Sequence, residues 1–303
     1  MIHQPVLLNE VIKYLNPKPD ENFIDATVNG GGHAMAILEK NGPRGRVLGI
    51  EIDSEIYKEF KKKLDGADDK QFQNLKRLTL VNDSYVNIGK IANKYKFKNI
   101  KGILFDLGMS SWHLEISNRG FSFQKDEFLD MRYNIAENKI LTAMQVLNTF
   151  TEKELTDIFW KYGEERYSSR IAKKIIKERK IKPIRSTFDL VEIIKRSVPT
   201  SYRYRRIHPA TKTFQALRIF INQELDNLQI GLERGFQILK NGGRMVVISF
   251  HSIEDRIVKN FFKNKKGEGS GILLTKKPII PSNSEVKKNP RSRSARLRAS
   301  EKL

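Results

Sequence analysis

An acid, a glycine-rich turn and a second acid lie near the start of the chain, at a spacing that could hold a nucleoside-bearing cofactor. The apolar run Asn22-Phe23-Ile24 ends in Asp25 and leads through Ala26-Thr27-Val28-Asn29 to Gly30-Gly31-Gly32-His33. Ala34, Ile37 and Leu38 then suit a helix. Glycines let a backbone approach a ligand closely and accept positive φ. A second apolar run, Arg46 to Ile50, ends in Glu51, with Asp53 just beyond. An acid at the carboxyl tip of such a strand can bond ribose hydroxyls. Glu51 ends the run directly and is the ribose candidate; Asp53 better suits a helix N-terminus.

The turn fits two cofactors. A dinucleotide fingerprint wants three spaced glycines, and Met35 stands where the third should be. S-adenosylmethionine carries no phosphate and needs only close backbone approach and a ribose acid. Tyr85, after the next apolar run, either flanks an adenine or packs in the core. Asp106 ends the run Ile100 to Phe105 and precedes Leu107-Gly108-Met109-Ser110-Ser111. An acceptor there can bond an exocyclic amine whose lone pair is delocalised into a ring, favouring its nucleophilic geometry. It can equally be a strand-end acid capping the next turn, and His33 a packing residue. His3, His33, His113, His208 and His251 all fall in or beside these segments, yet none form an H-x-x-x-H pair, so no catalytic metal is expected.

Four strands, at 22–27, 46–51, 76–81 and 100–106, alternate with helices at 33–41, 53–64 and 86–95, which predicts a doubly wound parallel sheet. From 111 to 211 the pattern is helical. Thr151 to Glu154 forms a capping box, Ile171, Ala172, Ile175 and Ile176 mark a second helix, and Ser186 to Asp189 caps a third. The α/β pattern resumes at 212 with one long helix from Thr213 to about Leu239, a strand from Arg244 to Phe250, and a helix capped at Ser252 to Asp255. Residues 264–290 read as a loop. The expected domains are therefore 1–110, an inserted helical domain at 111–211, and 212–303 with a basic tail.

The net charge is +21 and there is no cysteine, which excludes disulfides and thiol catalysis. Such a charge points to a polyanion, most often nucleic acid, or else reflects the abundance of Asn, Lys and Ile that an AT-rich genome gives. Arg203, Arg205 and Arg206 interleave with Tyr202 and Tyr204, and Arg291, Arg293, Arg296 and Arg298 lie in the tail. Arginine beside tyrosine suits phosphate pairing and base stacking. No apolar run nears the roughly 20 residues of a membrane span, and no signal peptide is visible, so a cytoplasmic protein without a membrane partner is expected.

Taken together these segments resemble one family, the bacterial 16S ribosomal RNA cytidine N4-methyltransferases (RsmH, formerly MraW). The resemblance spans nearly the whole chain. It runs through His3 to Glu10, Gly30 to His33, Asp106 to Ser111, Arg119 to Phe123, Leu129 to Arg132 and Tyr162 to Arg166. His208 to Arg218, Ser249 to Lys259 and Asn289 to Ala295 complete it. It implies a Rossmann-like S-adenosylmethionine-dependent methyltransferase sheet interrupted by a helical substrate domain. The cofactor S-adenosylmethionine would lie at Gly31, Gly32, His33, Glu51, Tyr85, Asp106 and His113, with Asp106 catalytic. The substrate it implies is a cytidine in the decoding centre of the small ribosomal subunit. The 16S rRNA would be gripped by Arg203, Arg205, Arg206, His208, Arg291 and Arg293; a homodimer is left open. Asn29 stands for a usual glycine, Glu51 for aspartate, Tyr85 for phenylalanine, and Trp112-His113 for a Pro-Gln pair. The rivals are a nucleotide-dependent oxidoreductase, a noncatalytic ribosome-assembly factor and a DNA amino-methyltransferase. The last usually carries a proline-rich segment that Asp106 to Met109 lacks.

Overall fold

The computed structural model describes residues 5–66, 74–135, 137 and 140–303; His3 and Gln4, which open the first matching segment, lie outside them. The chain divides into two compact units, 1–110 with 225–303, and 111–224.

The first unit is built on a seven-stranded sheet of order β3-β2-β1-β4-β5-β7-β6. Its strands are β1 (Asn22–Asp25), β2 (Val47–Glu51), β3 (Leu78–Asn82), β4 (Ile100–Asp106), β5 (Leu239–Ser249), β6 (Gly271–Leu273) and β7 (Arg296–Lys302). The first five pair in parallel, and β7 runs antiparallel to both β5 and β6. Alternate residues face opposite sides of a strand, and here both sides are buried. Ile24, Leu48, Phe105 and Val247 pack on one face with Leu232 and Phe236. Phe23, Val47, Leu104 and Val246 pack on the other with Val11 and Ile37. Burial on both faces explains the near-continuous apolar strands that made the sheet readable. Strand order reverses between β1 and β4, which is where open parallel sheets bind ligands, at the carboxyl ends.

The second unit is helical, with helices that include Glu152–Gly163, Ser168–Arg179, Thr187–Ser197 and Thr211–Ile221. Both expected capping boxes form, Thr151 with Glu154 and Ser186 with Asp189. Helix Glu152–Gly163 lies close on helix Thr211–Ile221: a Cβ at Gly163 would sit 2.5 Å from the Lys212 carbonyl oxygen.

Several expectations are corrected. The helix expected from Thr213 to about Leu239 is two helices, Thr211–Ile221 and Glu224–Ile238, so the helical unit runs to 224 and not to 211. Gln223, at φ +49°, breaks the run. Asn222 anchors the break: its side chain donates to the Met131 carbonyl (2.8 Å) and accepts from the Tyr133 amide (2.8 Å). Residues 264–290 are not one loop. Helix Ser252–Gly267 extends into them, β6 follows, and Ser282 caps a short helix, Asn283–Lys288. His251, not Ser252, caps helix Ser252–Gly267. Strand β1 stops at Asp25, where the Asp25 carboxylate takes the Thr27 amide (3.2 Å) and turns the chain. No helix among the described residues is long and apolar enough to cross a membrane.

Candidate active site

Three acids gather at the carboxyl rim of the sheet unit because each ends a parallel strand: Asp25 on β1, Glu51 on β2 and Asp106 on β4. All three are buried.

The glycine turn bridges β1 and helix Gly32–Lys40. Asn29 sits at φ +46° and Gly31 at φ +82°. Asparagine tolerates the left-handed region, so the turn keeps its form without a glycine at 29. The Asn29 amide donates to Glu51 Oε2 (3.0 Å), tying the turn to the tip of β2. Gly31 is needed for packing as well as φ, since a Cβ there would run into the Phe60 ring. A Cβ at Gly32 would lie 3.0 Å from Pro5.

Glu51 also takes the Asp53 amide at Oε1 (2.9 Å). Asp53 in turn caps helix Ser54–Asp65, the role its position suggested. Burial pushes the Glu51 carboxyl up to about 8, assisted by the charges of Asp53 and Asp25 and opposed by the Asp53 and Asn29 amides. Asp25 is raised to about 7 by burial, against the amides of Thr27 and Ala34.

Asp106 is the most exceptional of the three. Its amide is held by the Thr27 hydroxyl (2.7 Å). Its Oδ1 is buried and has no hydrogen-bond partner among the described residues. Its Oδ2 lies 3.7 Å from His33 Nδ1. Burial raises its carboxyl to about 7; the charges of Asp25 and Glu254 add to this, and the Gly108 amide opposes it. His33 is fixed from the other side, where Nε2 is 3.0 Å from the Val6 carbonyl oxygen. A carbonyl only accepts, so Nε2 carries the proton and Nδ1 faces Asp106.

Tyr85 opens a short turn after β3. Its ring meets Phe105 edge-on at 5.5 Å and presses on Gly231, where a Cβ would be 2.6 Å away. One side of the ring therefore serves the core.

In the helical unit, His113 is buried among aromatic rings, 5.0 Å from Phe121 and 4.9 Å from Tyr133. Arg203, Arg205 and Arg206 are exposed, as is Tyr204, but Tyr202 is buried. His208 stacks on Phe123 (4.6 Å), and its Nδ1 accepts from the Ala210 amide (3.3 Å). Burial, and then the charge of Lys195, lower its pKa.

In the sheet unit, Arg291 and Arg293 are exposed on the short turn Pro290–Ser294. Arg296 and Arg298, read as part of the same basic tail, instead belong to β7. Arg298 clasps Asp255 through Nε (2.6 Å) and Nη2 (3.0 Å), and Arg296 adds a contact at 3.3 Å. Burial pushes the Asp255 carboxyl upward, but these arginines outweigh it and hold it below its ordinary value.

Sequence reasoning passed over two residues. Asp25 was visible as the acid ending the first strand, and Thr27 lay in the quoted segment, but only the fold shows their contacts with the Asp106 region.

The whole chain, residues 1–303, matches the MraW methylase family. A "Ribosomal RNA small subunit methyltransferase H" of Sulfurihydrogenibium sp. is 44% identical over 301 residues, 99% of each chain. Its namesake in Thermotoga neapolitana is 45% identical over 302 residues, covering 99% of this chain and 95% of the relative. Among solved structures, a Streptococcus mutans protein in complex with SAH is similar over 100% of both chains, with 14% identity and a TM-score of 0.45. The match along the full length, with relatives this close over nearly all of theirs, shows that the chain belongs to the MraW methylase family.

Proposed function

We propose that this methylase transfers a methyl group from S-adenosylmethionine to the N4 amine of a cytidine in the decoding centre of 16S ribosomal RNA. Membership of the family and the names of its relatives support methylation of small-subunit rRNA. The observation that carries the chemistry is the buried, unpartnered Oδ1 of Asp106 at the end of β4.

The rim fits the donor. Three buried carboxylates suit a ligand carrying positive charge, because attraction strengthens where water is excluded. When bound, S-adenosylmethionine supplies an electrophilic sulfonium methyl. Gly31, Gly32, His33, Glu51, Tyr85 and Asp106, all in the sheet unit, are the residues assigned to hold it, with Glu51 accepting from the ribose hydroxyls. Asp106 Oδ1 accepts a hydrogen bond from the cytosine amine. That localises the nitrogen lone pair and disperses the positive charge growing on it. His33, locked to Val6, limits the freedom of the carboxylate. Positioning supplies the rest of the acceleration. The base must be unstacked to enter such a site. Arg203, Arg205, Arg206, His208, Arg291 and Arg293 are assigned to the RNA.

Substituting Asp106→Ala tests this. Turnover on small ribosomal subunits should fall roughly 10²–10⁴-fold, while RNA binding persists. Retained turnover, or loss of RNA binding with it, would contradict the assigned role.

A further inference from the structure

The positive charge of the molecule is concentrated. Residues 161–212 carry sixteen Lys and Arg against five Asp and Glu, a net of +11 out of +21 for the whole chain. Four of the five acids are occupied or pulled inward. Glu178 pairs with Lys174 and Arg196, Asp189 with Lys182, and Glu192 with Lys195. Glu165 is fully buried.

Glu165 organises two tyrosines. Its Oε1 accepts the Tyr167 amide (2.8 Å) and its Oε2 accepts the Tyr202 hydroxyl (2.8 Å). Burial, then Glu165, raise the Tyr202 pKa, so the phenol stays a donor. The two rings meet edge-on at 4.9 Å. Guanidinium groups lie over both rings. Arg166 and Arg170 lie 4.8 Å and 5.7 Å from the Tyr167 centroid, and Arg205 lies 5.0 Å from that of Tyr202. All three arginines are exposed, and among the described residues none makes an ion pair. The rings are thus taken up as a scaffold and are not platforms for bases. What they present outward is a set of oriented, uncompensated guanidinium forks, the geometry that suits phosphate oxygens.

The geometry assigns a phosphate-binding rail, Arg166-Arg170-Arg205 on the Tyr167-Tyr202 scaffold, that grips the sugar–phosphate backbone of RNA without reading its sequence. This rests on the RNA substrate proposed above and adds Arg166 and Arg170 to the residues that hold it. Glu165, Tyr167 and Tyr202 are positioning residues, since each acts through an arginine.

The test uses the full chain and fluorescein-labelled 20-mer oligouridylate and oligoadenylate, titrated across a salt series. The triple Arg→Gln variant at 166, 170 and 205 should bind both oligomers at least ~10-fold more weakly, with the logarithmic salt slope reduced by about 2. A control triple in the sheet unit, Lys94→Gln, Lys96→Gln and Lys98→Gln, removes the same formal charge and should weaken binding less than threefold. The triple Arg→Lys variant should keep the wild-type salt slope yet lose affinity, because lysine lacks the planar fork. Calorimetric titration with SAH should be unchanged in every variant, which verifies folding.

Equal losses in the Gln triple and the control would overturn the rail, as would wild-type affinity in the Lys triple. A strong preference between the two oligomers that the Gln triple abolishes would also overturn it, by showing base readout. The outcomes separate from those of the parent proposal. A wild-type chain that binds these oligomers through the rail but methylates no rRNA sinks the methylation reading alone. A chain that methylates rRNA while the Gln triple binds like wild type sinks the rail alone.

Discussion

In the proposed reaction Asp106 acts as a carboxylate, since the ionised form is acceptor-only whereas the protonated acid also offers a hydrogen to the amine. With its carboxyl raised to about 7, kcat/KM should climb as pH rises toward that value and level off above it. A flat profile from pH 5 upward would contradict a carboxyl raised to about 7 at Asp106. The rim also makes folding sensitive to pH. Asp25, Glu51 and Asp106 are raised from 3.8, 4.5 and 3.8 to about 7, 8 and 7. A carboxyl with a raised folded pKa binds protons more readily in the folded chain. The stability it contributes is complete below its unfolded pKa and is lost as pH climbs to the folded one. The melting temperature of the ligand-free protein should therefore fall between about pH 5 and pH 8.5, and Glu51→Gln should make that fall shallower. An unchanged slope in the Gln variant would show that Glu51 is not the buried acid described. These acids were legible because a parallel strand ends where its apolar run ends, so Glu51 and Asp106 could be placed at strand tips from order alone. Their burial was not legible, since it depends on neighbours distant in sequence, such as Asn29 for Glu51 and Thr27 for Asp106.

At the scale of elements, the capping boxes read true from local signals, whereas features fixed by distant partners did not. The capping boxes at Thr151 and Ser186 form from four adjacent residues each and needed nothing else. Strand β7 has only Leu297 and Ala299 on its core side, too few apolar residues to announce a strand, and it exists through pairing with β5 and β6. Arg296 and Arg298 therefore looked like part of a free basic tail. The break at Asn222 and Gln223 was hidden for the same reason: its anchors, Met131 and Tyr133, lie far back in the chain. The reassignment of the tail can be measured. Arg298→Ala leaves Asp255 buried without its main partner and should cost about 3 kcal/mol, a clear drop in urea midpoint. Arg293→Ala, on the exposed turn, should leave the midpoint unchanged. Equal behaviour of the two variants would return Arg298 to the solvent-facing set.

The molecule as a whole pairs two opposite electrostatic characters. The sheet unit buries acids at one rim, suited to a cationic donor. The helical unit holds the stretch 161–212, with over half the net charge, suited to a polyanion. Neither feature alone specifies a methylase acting on RNA. An acidic rim would serve other cations, and a basic stretch would serve any nucleic acid. Their presence in one chain of the MraW methylase family is what unites them. The atom that receives the methyl group decides between these uses. Its most direct measurement is mass-spectrometric mapping of 16S rRNA from cells lacking this gene, complemented with either the wild-type chain or Asp106→Ala. N4-methylcytidine should return at one decoding-centre cytidine with the wild type only. Its absence with the wild type, its return with Asp106→Ala, or a methyl group on another atom or outside the small subunit would contradict the account.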